Sequence, residues 1–237
     1  MSCKKVIIFG FPHCGTSILK SIIGHIEDVY EIIDETHYVD DKTFNDIKSK
    51  YKYILIKYPH IIFPNDLDIF GKDYADYIKI FIIRNPLFVF SSLNKRTKNK
   101  IPVEWNHNIS NYSEVALKFD YYRKNKTNNM YLIRYEDLFE KTYFKDLLNS
   151  IGFKYTDAIF DNKKYNNNIS SKLINTIISQ KPLNIEHTKY RTWQINQEFK
   201  NNNDISKLDL NKEQINEIIS DSNIKRVYPD IKSYLKI

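Results

Sequence analysis

Cysteine, glycine and proline are all scarce in this sequence, at 2, 5 and 7 of 237 residues. Two cysteines, Cys3 and Cys14, are too few for a disulfide framework and lack the spacing of a zinc site. Reduced, cytosol-type surroundings are therefore the expectation. So few glycines and prolines leave no stretch that reads as a flexible linker, which implies one domain over residues 1–237. No apolar run approaches the about 20 residues that a membrane-spanning helix needs. A signal peptide is not expected either: the chain passes from Lys4 and Lys5 into an apolar strand and a glycine loop that cleavage would remove. A soluble, cytoplasmic protein follows as the expectation. A dense basic cluster interleaved with aromatics is also missing, which argues against a nucleic-acid partner. The net charge of +7 is spread along the chain and still suits an anionic ligand.

What is present is enough apolar material for a core, 42% of residues with 14% aromatic. It comes in short runs. "VIIFG" at 6–10, "YKYILIKY" at 51–58, "YIKIFIIR" at 77–84 and "MYLIRY" at 130–135 read as buried strands. Between them, "SILKSIIGHI" at 17–26 carries apolar residues at helical spacing, "PLFVFSSLNKR" at 86–96 opens with a proline suited to a first helical turn, and 137–150 reads as a helix. Continuous apolar strands separated by helices predict a parallel sheet covered on both faces. The expected fold is a three-layer, P-loop-like α/β architecture with about five parallel strands. Beyond about residue 160 the chain turns polar and asparagine-rich, apart from an amphipathic helix at 210–220, so the C-terminal part is expected to be loop-rich with some helix.

The first strand runs into "GFPHCGTS", residues 10–17. Its spacing is nearly that of the phosphate loop G-x-x-x-x-G-K-[ST], but Thr16 stands where the lysine belongs. An ATPase needs that lysine on its terminal phosphates, with Mg²⁺ nearby. Anion binding as such does not: the N–H groups opening the helix, the close approach allowed by Gly15, and the Thr16 and Ser17 hydroxyls remain.

Three segments in order, "VIIFGFPHCGTS", "IRNPLFVFSS" and "IRYEDL", resemble the sulfotransferase family. Its members carry P-[KR]-S-G-T-[ST] after the first strand, R-[ND]-P-x-x-x-x-x-S at a 3′-phosphate site, and Y-E-D-L later. Pro12, Gly15, Thr16 and Ser17 match the first pattern; Arg84, Pro86 and Ser92 match the second; Tyr135, Glu136 and Asp137 match the third. The match covers about residues 4–153 and is closest in pattern to the bacterial and tyrosylprotein types. The resemblance implies a sulfuryl donor, PAPS (3′-phosphoadenosine 5′-phosphosulfate), no metal, and a small-molecule, carbohydrate or peptide acceptor. Two other readings stay open: a P-loop kinase or NTPase, and a nucleotide-binding module that has lost its chemistry.

The resemblance also implies roles. The loop from Pro12 through His13, Cys14, Gly15, Thr16 and Ser17 would hold the 5′-phosphosulfate. His13 departs from the family by standing where Lys or Arg is usual; as imidazolium it would stabilise the leaving group. Lys57, at a strand end, would serve the donor site. Arg84 and Ser92 would bind the 3′-phosphate, with Arg96 one helical turn on, and Tyr135 would line the nucleotide pocket. Glu35, in "IIDETHYV", is the first choice as general base and His60 the second. In the tail, Lys189, Arg191 and Trp193 resemble the basic segment that closes over PAPS. Trp105 is a candidate stacking residue for the acceptor.

Overall fold

The computed structural model describes residues 3–59, 74–98, 107–157, 201 and 203–235. His60, Trp105, Lys189, Arg191 and Trp193 lie outside these residues.

Five strands form one parallel sheet: β1 (Lys4–Phe9), β2 (Val29–Glu35), β3 (Tyr53–Lys57), β4 (Tyr77–Ile83) and β5 (Met130–Arg134). Their spatial order is β2-β3-β1-β4-β5. β1 lies in the middle, with Ile8 opposite Lys57 of β3 and Phe9 opposite Phe81 of β4. Central β3 and β4 are buried along their whole length, which explains why they read as unbroken apolar runs. β2 escapes that pattern. Its sequence, VYEIIDE, mixes acidic residues with apolar ones because it is an edge strand and partly exposed.

Side chains alternate across the sheet and so feed two cores. Ile7, Phe9, Ile56, Phe81 and Ile83 face one side, under helices α3 (Pro86–Lys98) and α4 (Ile109–Lys124). Val6, Ile8, Leu55, Ile80 and Ile82 face the other, under α1 (Thr16–Gly24) and α5 (Lys141–Ile151). The three-layer α/β expectation therefore holds. A short helix, α2 (Asp41–Ile47), follows the edge strand. The segment expected as one helix from 137 starts instead as a 3₁₀ turn, Tyr135–Phe139, and becomes α5 only at Lys141.

The C-terminal helices α6 (Lys212–Ser220) and α7 (Ser222–Val227) pack on the α3/α4 side through Ile218, Ile224 and Val227. Asn211 and Gln214 close a reciprocal capping box on α6, and Asp221 accepts from the Asn223 and Ile224 N–H groups to start α7. Charge fixes this layer laterally. Asp120, buried on α4, meets Arg123 and Lys124 at 2.6 Å each, and Arg123 also donates to the Arg226 carbonyl of α7. Docking α7 on α4 in this way lets Tyr228 reach Glu136, and Tyr234 beyond it meets Phe88 edge-on at 6.5 Å.

Phe81 is central to the α3/α4 core: its ring stacks on Phe9 at 4.8 Å and meets Phe119 edge-on at 5.2 Å. Truncating Phe81 to alanine should cost about 3–5 kcal/mol. Urea unfolding followed by far-UV circular dichroism measures this, and a loss under about 1 kcal/mol would contradict the packing.

Candidate active site

Parallel strands all finish at one edge, where ligands of open α/β sheets bind. Three of those ends converge here. After Phe9 the chain leaves the sheet through Gly10, where a Cβ would lie 2.1 Å from the Ile82 carbonyl oxygen, so no larger residue fits. The Cys14 N–H then closes a turn onto the Phe11 carbonyl at 3.1 Å. His13 adopts φ 67° and Gly15 φ 91°, both left-handed. For histidine that conformation is strained, of the order of 1–3 kcal/mol, and such strain concentrates at functional sites. At Gly15 it is free, and the glycine is doubly required, since a Cβ would lie 2.5 Å from the Tyr135 ring. Left-handed residues leading into a helix turn successive N–H groups to one side, a concavity for anions. The N-cap of α1 is Gly15, which has no side chain to cap the first turn. Because the Cys14 N–H is spent and its thiol fully buried, held neutral by that burial, the donors of this loop begin at Gly15.

Lys57 ends β3 and is 6% exposed. Its ammonium donates to Ser17 Oγ at 2.6 Å and pairs with Glu35 Oε1 at 2.6 Å. Glu35 arrives there because β2 and β3 bring it opposite Lys57 in register. Three of the sequence candidates, from three different elements, thus form one hydrogen-bonded group.

Arg84 follows β4. Its guanidinium lies 4.5 Å over the Tyr135 ring. Nη1 donates to the His13 carbonyl at 3.4 Å; Nε and Nη2 both donate to Asn203 Oδ1, at 3.3 and 2.9 Å. Tyr135 itself is 4% exposed, walling Gly15 on one side and Arg84 on another.

His13 sits among these cations. Its Nδ1 is 2.8 Å from Ser92 Oγ, so the serine expected at a phosphate reaches the loop histidine here. Burial, then the charges of Arg96, His107, Arg84 and Lys57, push the imidazole down from 6.5 to about 3. His13 is therefore neutral at physiological pH, the form in which it can donate one hydrogen bond but carries no charge. The same field that refuses a proton welcomes an anion, and Arg96 is part of it.

Sequence reasoning missed the frame that supports these residues. Glu136 Oε1 accepts from the Asn85 N–H at 2.9 Å and from Asn203 Nδ2 at 3.2 Å, and Oε2 accepts from the Tyr228 hydroxyl at 3.3 Å. The Tyr112 hydroxyl donates to the Arg84 carbonyl, and fully buried Asn85 caps the start of α3 by accepting from the Leu87 N–H at 3.0 Å. Glu136 was visible only as a letter of the third motif, and nothing local signalled Asn203, Tyr112 or Tyr228. Beyond this frame a pocket of about 380 Å³ opens between α3, the start of α4 and α6, lined by Phe90, Leu93, Thr97, His107, Ile109 and Glu217. His107 and Phe90 both pack on the Phe11 ring, at 6.0 Å, which joins this pocket to the loop.

A depressed imidazole has a consequence for stability. Between about 3 and 6.5 the unfolded chain binds a proton that the folded chain refuses, so stability falls as pH drops through that window. His13→Asn removes this proton uptake. Its melting temperature should decline less steeply than wild type from about pH 7 to about pH 5. Equal slopes by scanning fluorimetry would mean that His13 is not the source.

No family model and no curated protein sequence matches this chain. Solved structures do. Mouse sulfotransferase SULT7A1, complexed with PAP, is similar at a TM-score of 0.57 and 15% identity, over 98% of this chain and 89% of that one. The sulfotransferase domain from the curacin biosynthetic pathway is similar at a TM-score of 0.50 and 11% identity, over 97% of this chain and 98% of that one. At such identities the likeness is one of architecture, and it agrees with the three motifs: this chain has the sulfotransferase fold.

Proposed function

We propose that this protein transfers a sulfuryl group from PAPS to a hydroxyl or amine acceptor by in-line displacement. The observation that carries this reading is the joining of Lys57, Glu35 and Ser17 beside a helix N-terminus whose N-cap is glycine, with Arg84 at the next strand end. The acceptor oxygen or nitrogen forms a bond to sulfur as the bond from sulfur to the bridging oxygen of the 5′-phosphate breaks. The electron pair of that bond stays on the phosphate. Catalysis then needs positive charge at the leaving oxygen and a base for the acceptor proton.

The N–H groups of Gly15, Thr16 and Ser17, with the two hydroxyls, would hold the 5′-phosphosulfate. Lys57 would stabilise the leaving oxygen. Arg84 and Arg96, with Ser92, would receive the 3′-phosphate, since an arginine fork matches phosphate oxygens. Tyr135 would wall the nucleotide. Glu35 is the base. Its carboxylate pairs with the Lys57 ammonium at 2.6 Å. An incoming phosphosulfate competes for that ammonium, so donor binding loosens the ion pair and frees Glu35 to take the acceptor proton. The same anion draws His13 back toward its charged form, where it adds to leaving-group stabilisation.

A kinase reading has little support: Thr16 is 5% exposed where an NTPase carries its lysine, and β4 delivers Arg84, a partner for phosphate rather than for Mg²⁺. A non-catalytic nucleotide-binding module has one observation in its favour, the neutral His13.

Calorimetric titration tests the donor site. PAP, the desulfated product, should bind without Mg²⁺ and more tightly than ATP, and Arg84→Ala should weaken it about 10- to 100-fold. ATP binding that is tighter and needs Mg²⁺ would reject the proposal. With PAPS and a panel of acceptors, Glu35→Gln should keep PAP affinity and lower the rate of PAP release about 10²- to 10⁴-fold. Unchanged turnover in that variant would remove Glu35 as the base.

A further inference from the structure

We propose that Asn203 is a positioning residue for the nucleotide's 3′-phosphate, presenting the Arg84 fork without neutralising it; this rests on the sulfotransferase reading above. An arginine side chain is long, and ordering it opposes binding unless the fold has already done so. Here the fold has. One face of the guanidinium lies on Tyr135 and one terminal nitrogen is held by the His13 carbonyl. The edge formed by Nε and Nη2 is covered by a single oxygen, Asn203 Oδ1. Of the five N–H bonds of a guanidinium, these contacts engage three. Among the described residues two remain, one on each terminal nitrogen, and such a pair suits the oxygens of a phosphate.

The orientation of the Asn203 amide is dictated by its surroundings. Oδ1 must face the guanidinium and Nδ2 must face Glu136 Oε1, 3.2 Å away. Turning the amide over would set NH₂ against arginine and oxygen against carboxylate, losing both interactions. Glu136 is held in its turn by the Asn85 N–H and the Tyr228 hydroxyl. Asparagine therefore stands between a carboxylate and an arginine that would otherwise be candidates for a direct ion pair. Such a pair would order Arg84 equally well, but it would also cancel the charge that a phosphate needs and place a carboxylate beside the ligand. The neutral amide transmits position and withholds negative charge. Among the described residues, all hydrogen-bond partners of the Arg84 side chain are neutral oxygens, as this role requires.

The experiment compares PAP with 5′-AMP, which lacks the 3′-phosphate, by calorimetry on wild type, Asn203→Ala and the isosteric Asn203→Asp, with melting temperatures as the check on folding. Asn203→Ala should lower PAP affinity about 10-fold and leave 5′-AMP affinity unchanged, so that discrimination between the two collapses. Asn203→Asp, which puts a carboxylate on the fork, should lower PAP affinity at least as far, again without touching 5′-AMP. Equal losses for both ligands would mean a merely structural role and overturn the proposal. So would unchanged discrimination, or a gain in PAP affinity, which would make Asn203 an obstruction. If wild type itself does not prefer PAP to 5′-AMP, the assignment of Arg84 to the 3′-phosphate fails, and this inference with it.

Discussion

Like charges brought to one edge of a parallel sheet are the constraint that the rest of this site depends on. The order β3-β1-β4 places Lys57 and Arg84 on either side of the loop leaving β1, and α3 adds Arg96. Like charges gathered in one partly buried site repel one another. Each neighbouring residue answers that repulsion differently. Glu35 pairs with Lys57 directly. Tyr135 offers Arg84 the negative face of its ring. His13 is kept neutral, by burial first and by the surrounding cations second. In the function proposed here, a polyanionic ligand would relieve this repulsion, and its binding would add stability.

The two cations differ in how they are held, and the difference suits what each would do. Lys57 is a point charge on a flexible stem, shared between Ser17 and Glu35 at equal distances of 2.6 Å, and an anion can draw it from one to another. Arg84 is fixed on three sides by neutral groups and has no comparable freedom. A group that must follow charge as it develops at a leaving oxygen gains from mobility. One that only sets the register of the nucleotide gains from rigidity. Glu136 supplies that rigidity from a distance, tying the β4 end, the 3₁₀ turn after β5 and the C-terminal segment into one joint.

The sequence made some of this legible and hid the rest for identifiable reasons. β1, β3 and β4 were readable because burial on both faces demands continuous apolar residues, and the loop was readable because Gly15 answers a local need at φ 91°. β2 was not read as a strand, since edge exposure admits Glu31 and Glu35. α4 was missed because it buries Tyr112, Ser113, Lys118 and Asp120 together with apolar residues, which blurs any single stripe. Glu35, Lys57 and Arg84 stood out as charged residues beside apolar strands. Asn203 could not: it is a neutral residue in an asparagine-rich stretch, and its partner Arg84 is 119 residues away. The neutrality of His13 is likewise a property of neighbours that only the fold assembles.

The absent lysine finds its explanation in the same charge balance. Thr16 is almost fully buried at the start of α1, and Lys57 already donates to the next residue, Ser17. A lysine at position 16 would add a cation to a field that already helps to keep His13 neutral. In an NTPase the loop brings its own charge and the strand ends bring carboxylates for the metal. Here that division is reversed: the loop brings backbone dipoles and hydroxyls, and the strand ends bring the cations. The strand ends are fixed by hydrogen-bonded register rather than by loop geometry, so the sheet itself delivers both cations to the mouth of the loop. That arrangement would suit the proposed sulfuryl transfer, in which charge develops on a leaving oxygen beside the strand-end cations.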